Sequence, residues 1–238
     1  MRLRVLGCLL LAVWLSGCGA AAPSARPLPG YKIETLRGEA LRAEPPEESG
    51  EFRPSDFVEP TTLDPTVRLD VRYATHDNFL GWPVYPEARV FLQRPAAEAL
   101  VRVHRGLRER GYGLMLFDGY RPWYVTKVFW DATPEDRRQY LADPVKGSRH
   151  HRGCAVDLTL FDLATGKEVP MPSRYDEFTE RAHPDYAGGP AERRAARDLL
   201  RRAMEAEGFT VYELEWWHFD CAGWQQYRIE NRPFKDLS

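Results

Sequence analysis

Ser148-Arg149-His150-His151-Arg152-Gly153-Cys154-Ala155-Val156-Asp157 sets imidazoles and a carboxylate within ten residues of one another, around a glycine suited to a turn. The apolar run from Ala155 to Leu160 follows at once and reads as a strand. Asp157 would then stand on a rigid element with the histidines at its mouth, which is metal-site chemistry. Upstream, Leu114-Met115-Leu116-Phe117 reads as a short buried strand ending in Asp118-Gly119-Tyr120-Arg121-Pro122. Pro122 suits the first turn of a helix, where its missing N–H costs nothing, with Val125, Val128 and Phe129 inward. Arg121 would sit where strand gives way to helix, within reach of a cleft. Downstream, Pro190 to Glu207 is the clearest amphipathic helix, and Phe209 to Phe219 returns to strand composition carrying Glu215-Trp216-Trp217-His218.

Further out, Val67, Leu69, Val71 and Tyr73 alternate with Arg68, Asp70 and Arg72, the period of a half-buried strand. Ala96, Leu100, Val103 and Leu107 repeat at helical spacing and stop at Gly111, with His104 beside the stripe as a packed or half-exposed helix residue rather than a ligand. Thr133-Pro134 starts a second short helix, Thr165-Gly166 reads as a hairpin tip, and residues 170–190 form a long irregular connection. Arg193, Arg194, Arg197, Arg201 and Arg202 alternate with acids and read as a solvated helix face. There is no regular βαβ alternation and no glycine-rich phosphate loop after a strand, so a doubly wound nucleotide-binding fold is disfavoured. The expectation is an α+β domain with a small, mainly antiparallel sheet flanked by helices.

A chain of 238 residues, 43% hydrophobic, can bury one sizeable core, and a net charge of -2 offers no basic field for nucleic acid. Residues 1–18 read as a targeting segment: Arg2 and Arg4 precede an apolar run from Val5 to Leu15 too short to span a bilayer comfortably. Leu15-Ser16-Gly17-Cys18 resembles the lipobox of bacterial lipoproteins, which implies lipidation of Cys18, a membrane anchor, and export. In a diderm source the anchored protein would face the periplasm from the outer membrane. Residues 19–55 are too poor in apolar side chains to fold alone and read as a flexible tether or extended arm, ahead of a catalytic domain at 56–238. Cys154 and Cys221 are then the thiols that remain, and an oxidising compartment permits but does not require their pairing.

A hydrolytic zinc site needs about three protein ligands and an open position. His150 and Asp157 supply two and His218 a third, while Glu215, three residues before His218, is the candidate general base for a metal-bound water. His151 reads either as a surface residue or as an alternative ligand, and Asp157 alone would also suit a hydrogen-bonded turn.

These residues resemble the zinc D-alanyl-D-alanine dipeptidases, relatives of the zinc D,D-carboxypeptidases that share a fold with the Hedgehog signalling domain. The pattern Ser-x-His-x-x-Gly-x-Ala-x-Asp is met by Ser148, His150, Gly153, Ala155 and Asp157, and Glu-x-x-His by Glu215 and His218. Tyr73-Ala74-Thr75 with Asn78-Phe79, Asp118-Gly119-Tyr120-Arg121-Pro122 and Ser173-Arg174-Tyr175-Asp176 also look like the dipeptidase branch, so the resemblance runs from about residue 60 to 220. It implies that His150, Asp157 and His218 bind Zn2+, that Glu215 is the base and that Arg121 stabilises the oxyanion. It further implies that Asp176 pairs with the ammonium of a small D,D-dipeptide and that Ser148 meets its carboxylate end. His150 rather than His151 satisfies the spacing to both Gly153 and Asp157. The expected reaction is hydrolysis of D-Ala-D-Ala to two D-alanines in cell-wall peptide turnover or D-alanine recycling. The alternatives are a D,D- or L,D-carboxypeptidase acting on peptidoglycan stems, and a non-catalytic wall-binding lipoprotein. Oligomeric state is not legible.

Overall fold

The computed structural model describes residues 27–237, so the targeting segment and Cys18 lie outside the described residues. Helix α1 (Gly30–Ala40) is followed by the short strand β1 (Phe57–Val58), the single turn α2 (Pro60–Leu63), and the short strands β2 (Arg68–Leu69) and β3 (Leu92–Gln93). The long helix α3 (Arg94–Arg108) leads to β4 (Tyr112–Asp118), α4 (Trp123–Ala132) and β5 (Ala155–Asp162). Helix α5 (Ala191–Ala206) then feeds a hairpin of β6 (Phe209–Tyr212) and β7 (Glu215–Cys221).

The main sheet has the order β2-β4-β5-β7-β6, with β2 parallel to β4 and every other pair antiparallel. This is the expected α+β class. Strand β5 runs through the middle and is buried along nearly its whole length, Asp157 and Thr159 being buried polar residues among Ala155, Val156, Leu158, Leu160 and Phe161. Helix α3 covers the sheet with Leu100, Val103 and Leu107, each buried at a gain of roughly 1.5–3 kcal/mol. Of the two readings of His104, the structure has the packed one: it is buried, its Nδ1 accepts the Leu114 N–H at 3.0 Å and its Nε2 lies 2.9 Å from Thr66 Oγ1. Burial holds its pKa below the ordinary value, which suits an imidazole used as an acceptor.

Several local expectations are corrected. The alternating stretch from Val67 pairs only at Arg68–Leu69, and the chain then tightens into a 3-10 turn, Arg72–Ala74. Val71 and Tyr73 are buried by side-chain packing, and the Tyr73 carbonyl accepts from Val84 and Tyr85 N–H instead of a neighbouring strand. Pro122 and Pro134 each sit just before their helices, in extended backbone, instead of inside the first turn. The segment after Thr133 is a 3-10 turn, Glu135–Tyr140. Arg197 is buried, donating to the Tyr186 carbonyl at 2.7 Å, so the arginine face of α5 is only partly solvated.

Part of the stretch expected to be a flexible tether or extended arm packs on the domain, and does so as a helix. Helix α1 packs on α4 through Ile33 and Ala40, both fully buried, and Trp82 Nε1 donates to Glu34 Oε1 at 2.8 Å. Farther along, Glu48 accepts from the Ile229 N–H at 2.7 Å and pairs with Arg152. A few specific contacts anchor this arm, not an amphipathic stripe, which is why average composition did not reveal it.

Candidate metal centre and substrate cavity

The three expected ligand residues come together. Asp157 and His218 are direct partners in the β5–β7 ladder, and His150 opens a 3-10 turn, His150–Arg152, just before β5. That turn ends at Gly153 in the left-handed conformation (φ 65°), where a Cβ would run into the Phe57 ring, so the position demands glycine. Glu215 and His218 are three apart, which on a flat strand would send them to opposite faces. The β6–β7 register shifts by a bulge between Val211 and Tyr212, and both side chains reach the same cavity.

Each candidate ligand is oriented by its other end. His150 Nδ1 lies 2.7 Å from the Gly119 carbonyl, which can only accept, so Nδ1 carries the proton and Nε2 presents a lone pair. His218 Nε2 lies 3.0 Å from Asp220 Oδ1, leaving Nδ1 toward the centre. Asp157 Oδ2 accepts from the Tyr175 hydroxyl at 3.0 Å, while Oδ1 is buried and takes no hydrogen bond. His150 Nε2, His218 Nδ1 and Asp157 Oδ1 are 3.1 Å (Nε2 to Nδ1), 3.4 Å (Nε2 to Oδ1) and 3.1 Å (Nδ1 to Oδ1) apart. Three electron-pair donors converging in a buried site repel one another unless a cation lies among them. These residues therefore fit a metal ion.

Burial opposes a charge on His218, but the carboxylates of Asp157 and Asp220 on either side of its ring outweigh that and push its pKa up to about 10. Without a metal, a proton neutralises the cluster. Glu215 lies on the cavity wall with Oε2 3.7 Å from His218 Nδ1, and burial raises its pKa to about 7. It is thus poised to take and return protons near neutrality.

Arg121 is buried and held by Asp118, with Nε and Nη2 at 2.9 and 2.7 Å from Oδ2. Asp118 Oδ1 in turn accepts from Tyr85 Oη at 2.6 Å and Gly119 N–H at 2.8 Å. The guanidinium also reaches to 3.7 Å from Asp157 Oδ2, beside the metal cluster. Asp176 has φ 59°, unusual for a residue with a side chain. Its Oδ1 accepts from Tyr73 Oη at 3.1 Å, whereas Oδ2 is shut off from solvent and unpaired. Burial, reinforced by Asp157 and Glu215, pushes its pKa well above the carboxylate range. Ser148 Oγ accepts the His150 N–H at 3.2 Å and keeps its own proton to donate. All these side chains except Asp118, Asp220, Tyr85 and Tyr175 line one cavity of about 450 Å³.

His151 is neither a surface residue nor a ligand. It is fully buried, Nδ1 accepts the Ser148 N–H at 3.0 Å, and Nε2 lies 2.8 Å from Thr126 Oγ1. Burial pushes its pKa well below the ordinary value, so it stays neutral and locks the turn. Asp118, Asp220 and Tyr175 were missed by sequence reasoning. Asp220 had a signal, since residues two apart on a strand share a face. Cys154 and Cys221 form a disulfide with Cα atoms 5.0 Å apart, joining the residue just before β5 to the end of β7.

A family model described as D-ala-D-ala dipeptidase, Peptidase_M15, matches residues 53–236. The chain is similar to the D-alanyl-D-alanine dipeptidase of Enterococcus faecium, 40% identical over 171 residues, covering 64% of this chain and 85% of that one. The dipeptidase of Enterococcus faecalis is 39% identical over 189 residues, 71% of this chain and 89% of its own. That of Escherichia coli is 34% identical over 166 residues, 70% and 84%. A solved structure of the LdcB LD-carboxypeptidase aligns over 74% of this chain and 72% of that chain at 21% identity, with a TM-score of 0.44.

Proposed function

Because the chain belongs to the D-Ala-D-Ala dipeptidase family and is a metal-dependent peptidase, we propose that it hydrolyses free D-Ala-D-Ala to two D-alanines with zinc as its metal. The observation that carries the substrate reading is the unpaired Oδ2 of Asp176, buried in the same cavity as the metal cluster. A lone buried carboxylate is costly unless a cation neutralises it, and a dipeptide's ammonium is such a cation. An extended peptidoglycan stem has an acylated nitrogen at that place and offers no charge, which favours the dipeptidase over the carboxypeptidase reading. For zinc, the support is the donor set and its spacing: in a tetrahedron with arms of about 2.0–2.1 Å the ligand atoms are about 3.3 Å apart, close to the 3.1, 3.1 and 3.4 Å found.

When bound, zinc supplies a Lewis acid that lowers the pKa of water and polarises the scissile carbonyl. Glu215 takes the proton of the attacking water and returns it to the leaving amine. Arg121, fixed by Asp118 beside the metal cluster, would stabilise the negative charge that grows on the carbonyl oxygen, and its rigidity means that little reorganisation would accompany that growth. Asp176 fixes the amino end, and the Ser148 hydroxyl is available to the carboxylate end. Purified zinc-loaded protein should release D-alanine from D-Ala-D-Ala and act poorly on the N-acetylated dipeptide. Glu215→Ala should lose turnover while keeping its zinc; full activity in that variant would refute the assigned base.

We further infer that the protein is exported and lipid-anchored at Cys18, with a role in wall-peptide turnover or D-alanine recycling. The disulfide supports an oxidising compartment, and the Leu15-Ser16-Gly17-Cys18 motif supports the anchor. Labelled palmitate should be incorporated in cells and lost in Cys18→Ser.

A further inference from the structure

Arg149 lines the same cavity as the metal cluster. Its guanidinium lies 4.9 Å over the Trp224 ring, and Nε is buried with no hydrogen-bond partner, 3.5 Å from Asp220 Oδ2. The side chain is 40% exposed, so it is anchored on one side and open toward the cavity on the other.

Its position in the sheet gives this a meaning. Across the order β2-β4-β5-β7-β6, Tyr73, which holds Asp176, follows β2, and Asp157 and His218 stand on the central β5 and on β7. Tyr212 on β6 packs against His218 at 5.5 Å, and Asp220 on β7 pairs with Arg149. The unpaired acid is thus held by Tyr73, which follows β2, and the arginine by Asp220 on β7, two different anchors around the metal cluster. A zwitterionic dipeptide held across the metal has its ammonium at one end and its carboxylate at the other, the same polarity as the cavity wall. Asp220 is already shared with His218 Nε2, at 3.0 Å, so it does not fully occupy the guanidinium.

We propose that Arg149 binds the free C-terminal carboxylate of the dipeptide, so that Asp176 and Arg149 together measure a substrate bearing both charged ends. This rests on the dipeptidase reading above. Ser148, the preceding residue, would add a neutral hydrogen bond to the same carboxylate, while the guanidinium supplies the charge and the planar fork that match it.

The test compares D-Ala-D-Ala with its C-terminal amide. The zinc-loaded wild type should prefer the acid, and Arg149→Gln should lose that preference by roughly 10- to 100-fold, the range for a hydrogen bond to a charged group. The loss should lie in KM for the acid, with the amide nearly unchanged, and Arg149→Lys should restore part of it. A purely structural arginine, needed only to hold Asp220 and His218, would lower activity on both substrates equally or lower zinc content; either result overturns the proposal. Calorimetric binding of the same two compounds to Glu215→Gln protein, with and without Arg149→Gln, reads the contact without turnover. A wild type that hydrolyses neither compound would refute the dipeptidase reading, while a difference between acid and amide in this binding experiment would still support Arg149 as a carboxylate site and its absence would overturn it.

Discussion

Asp157 and His218 stand directly opposite each other in the β5–β7 ladder, with Oδ1 3.1 Å from Nδ1. That single pairing brings together two candidate metal ligands that are 61 residues apart in the chain (218 − 157). Because both residues sit on paired strands, their separation is set by the ladder and not by loop conformation, which is what a pre-organised metal site requires.

Metal uptake should release a proton. The carboxylates of Asp157 and Asp220 overcome the effect of burial and raise His218 to about 10, so at pH 7 the metal-free imidazole carries an extra proton that a metal must displace. Zinc titrations in buffers of different ionisation enthalpy should show about one proton released at pH 7, and apparent affinity should fall as pH drops. Uptake with no proton release would mean that His218 Nδ1 is not the ligand atom.

Asp220 should matter without touching the metal. Its carboxylate accepts from His218 Nε2 at 3.0 Å, fixing the tautomer and the ring plane. Asp220→Asn should weaken zinc binding by roughly 10–100-fold, measured by competition with a chelator, while far-ultraviolet circular dichroism stays that of the parent.

The acid limb of kcat/KM should belong to Glu215. Burial raises its pKa to about 7 before any cation is present, and a nearby cation favours the ionised form, so activity should fall as pH drops through a value at or below 7. In Glu215→Gln the rate should drop by roughly 10²–10⁴-fold and that limb should vanish. A limb persisting unchanged would assign it to another group.

The residues that bear the chemistry were legible in sequence because their signal is local. His150, Gly153 and Asp157 lie within one turn and strand, and Glu215 and His218 within one strand. What was not legible depends on distant partners. His151 is settled by Thr126, 25 residues away, and the fold of the N-terminal arm by Trp82 and by Ile229, far along the chain. Arg149 looks like any polar turn residue until β7 places Asp220 beside it. The strand expected from Val67 to Tyr73 failed for the opposite reason: alternation reports burial, and Val71 and Tyr73 are buried without a ladder.

The disulfide should stabilise both the fold and the site. Cys154 and Cys221 are 67 residues apart and each lies three residues from a candidate ligand, Asp157 or His218. Closing a loop of that length contributes about 2–4 kcal/mol, so Cys154→Ser/Cys221→Ser should melt roughly 5–15 °C lower. Thiol reductants should produce the same shift in the parent and none in the double variant. A reductant effect that persists in the double variant would come from elsewhere.

Asp176 should trade stability for recognition. Burial pushes its folded pKa well above that of the unfolded chain, so at pH values between the two the folded protein holds a proton that the unfolded chain has released. For an acid shifted upward, stability is greatest below the unfolded pKa, near 4, and declines as pH rises toward the folded value. Asp176→Asn removes that penalty, and asparagine also tolerates the left-handed backbone at φ 59°. The variant should therefore melt a few °C above the parent at pH 7, on the order expected for about 1 kcal/mol, with the difference disappearing near pH 4. Its kcat/KM for the free dipeptide should collapse, because the neutral amide cannot balance an ammonium, while the residual rate on N-acetylated dipeptide should be unchanged. Equal losses on both substrates would show that Asp176 positions the cavity and does not read the amine. A lower melting temperature at pH 7 would show that its carboxylate is already paired in the resting protein.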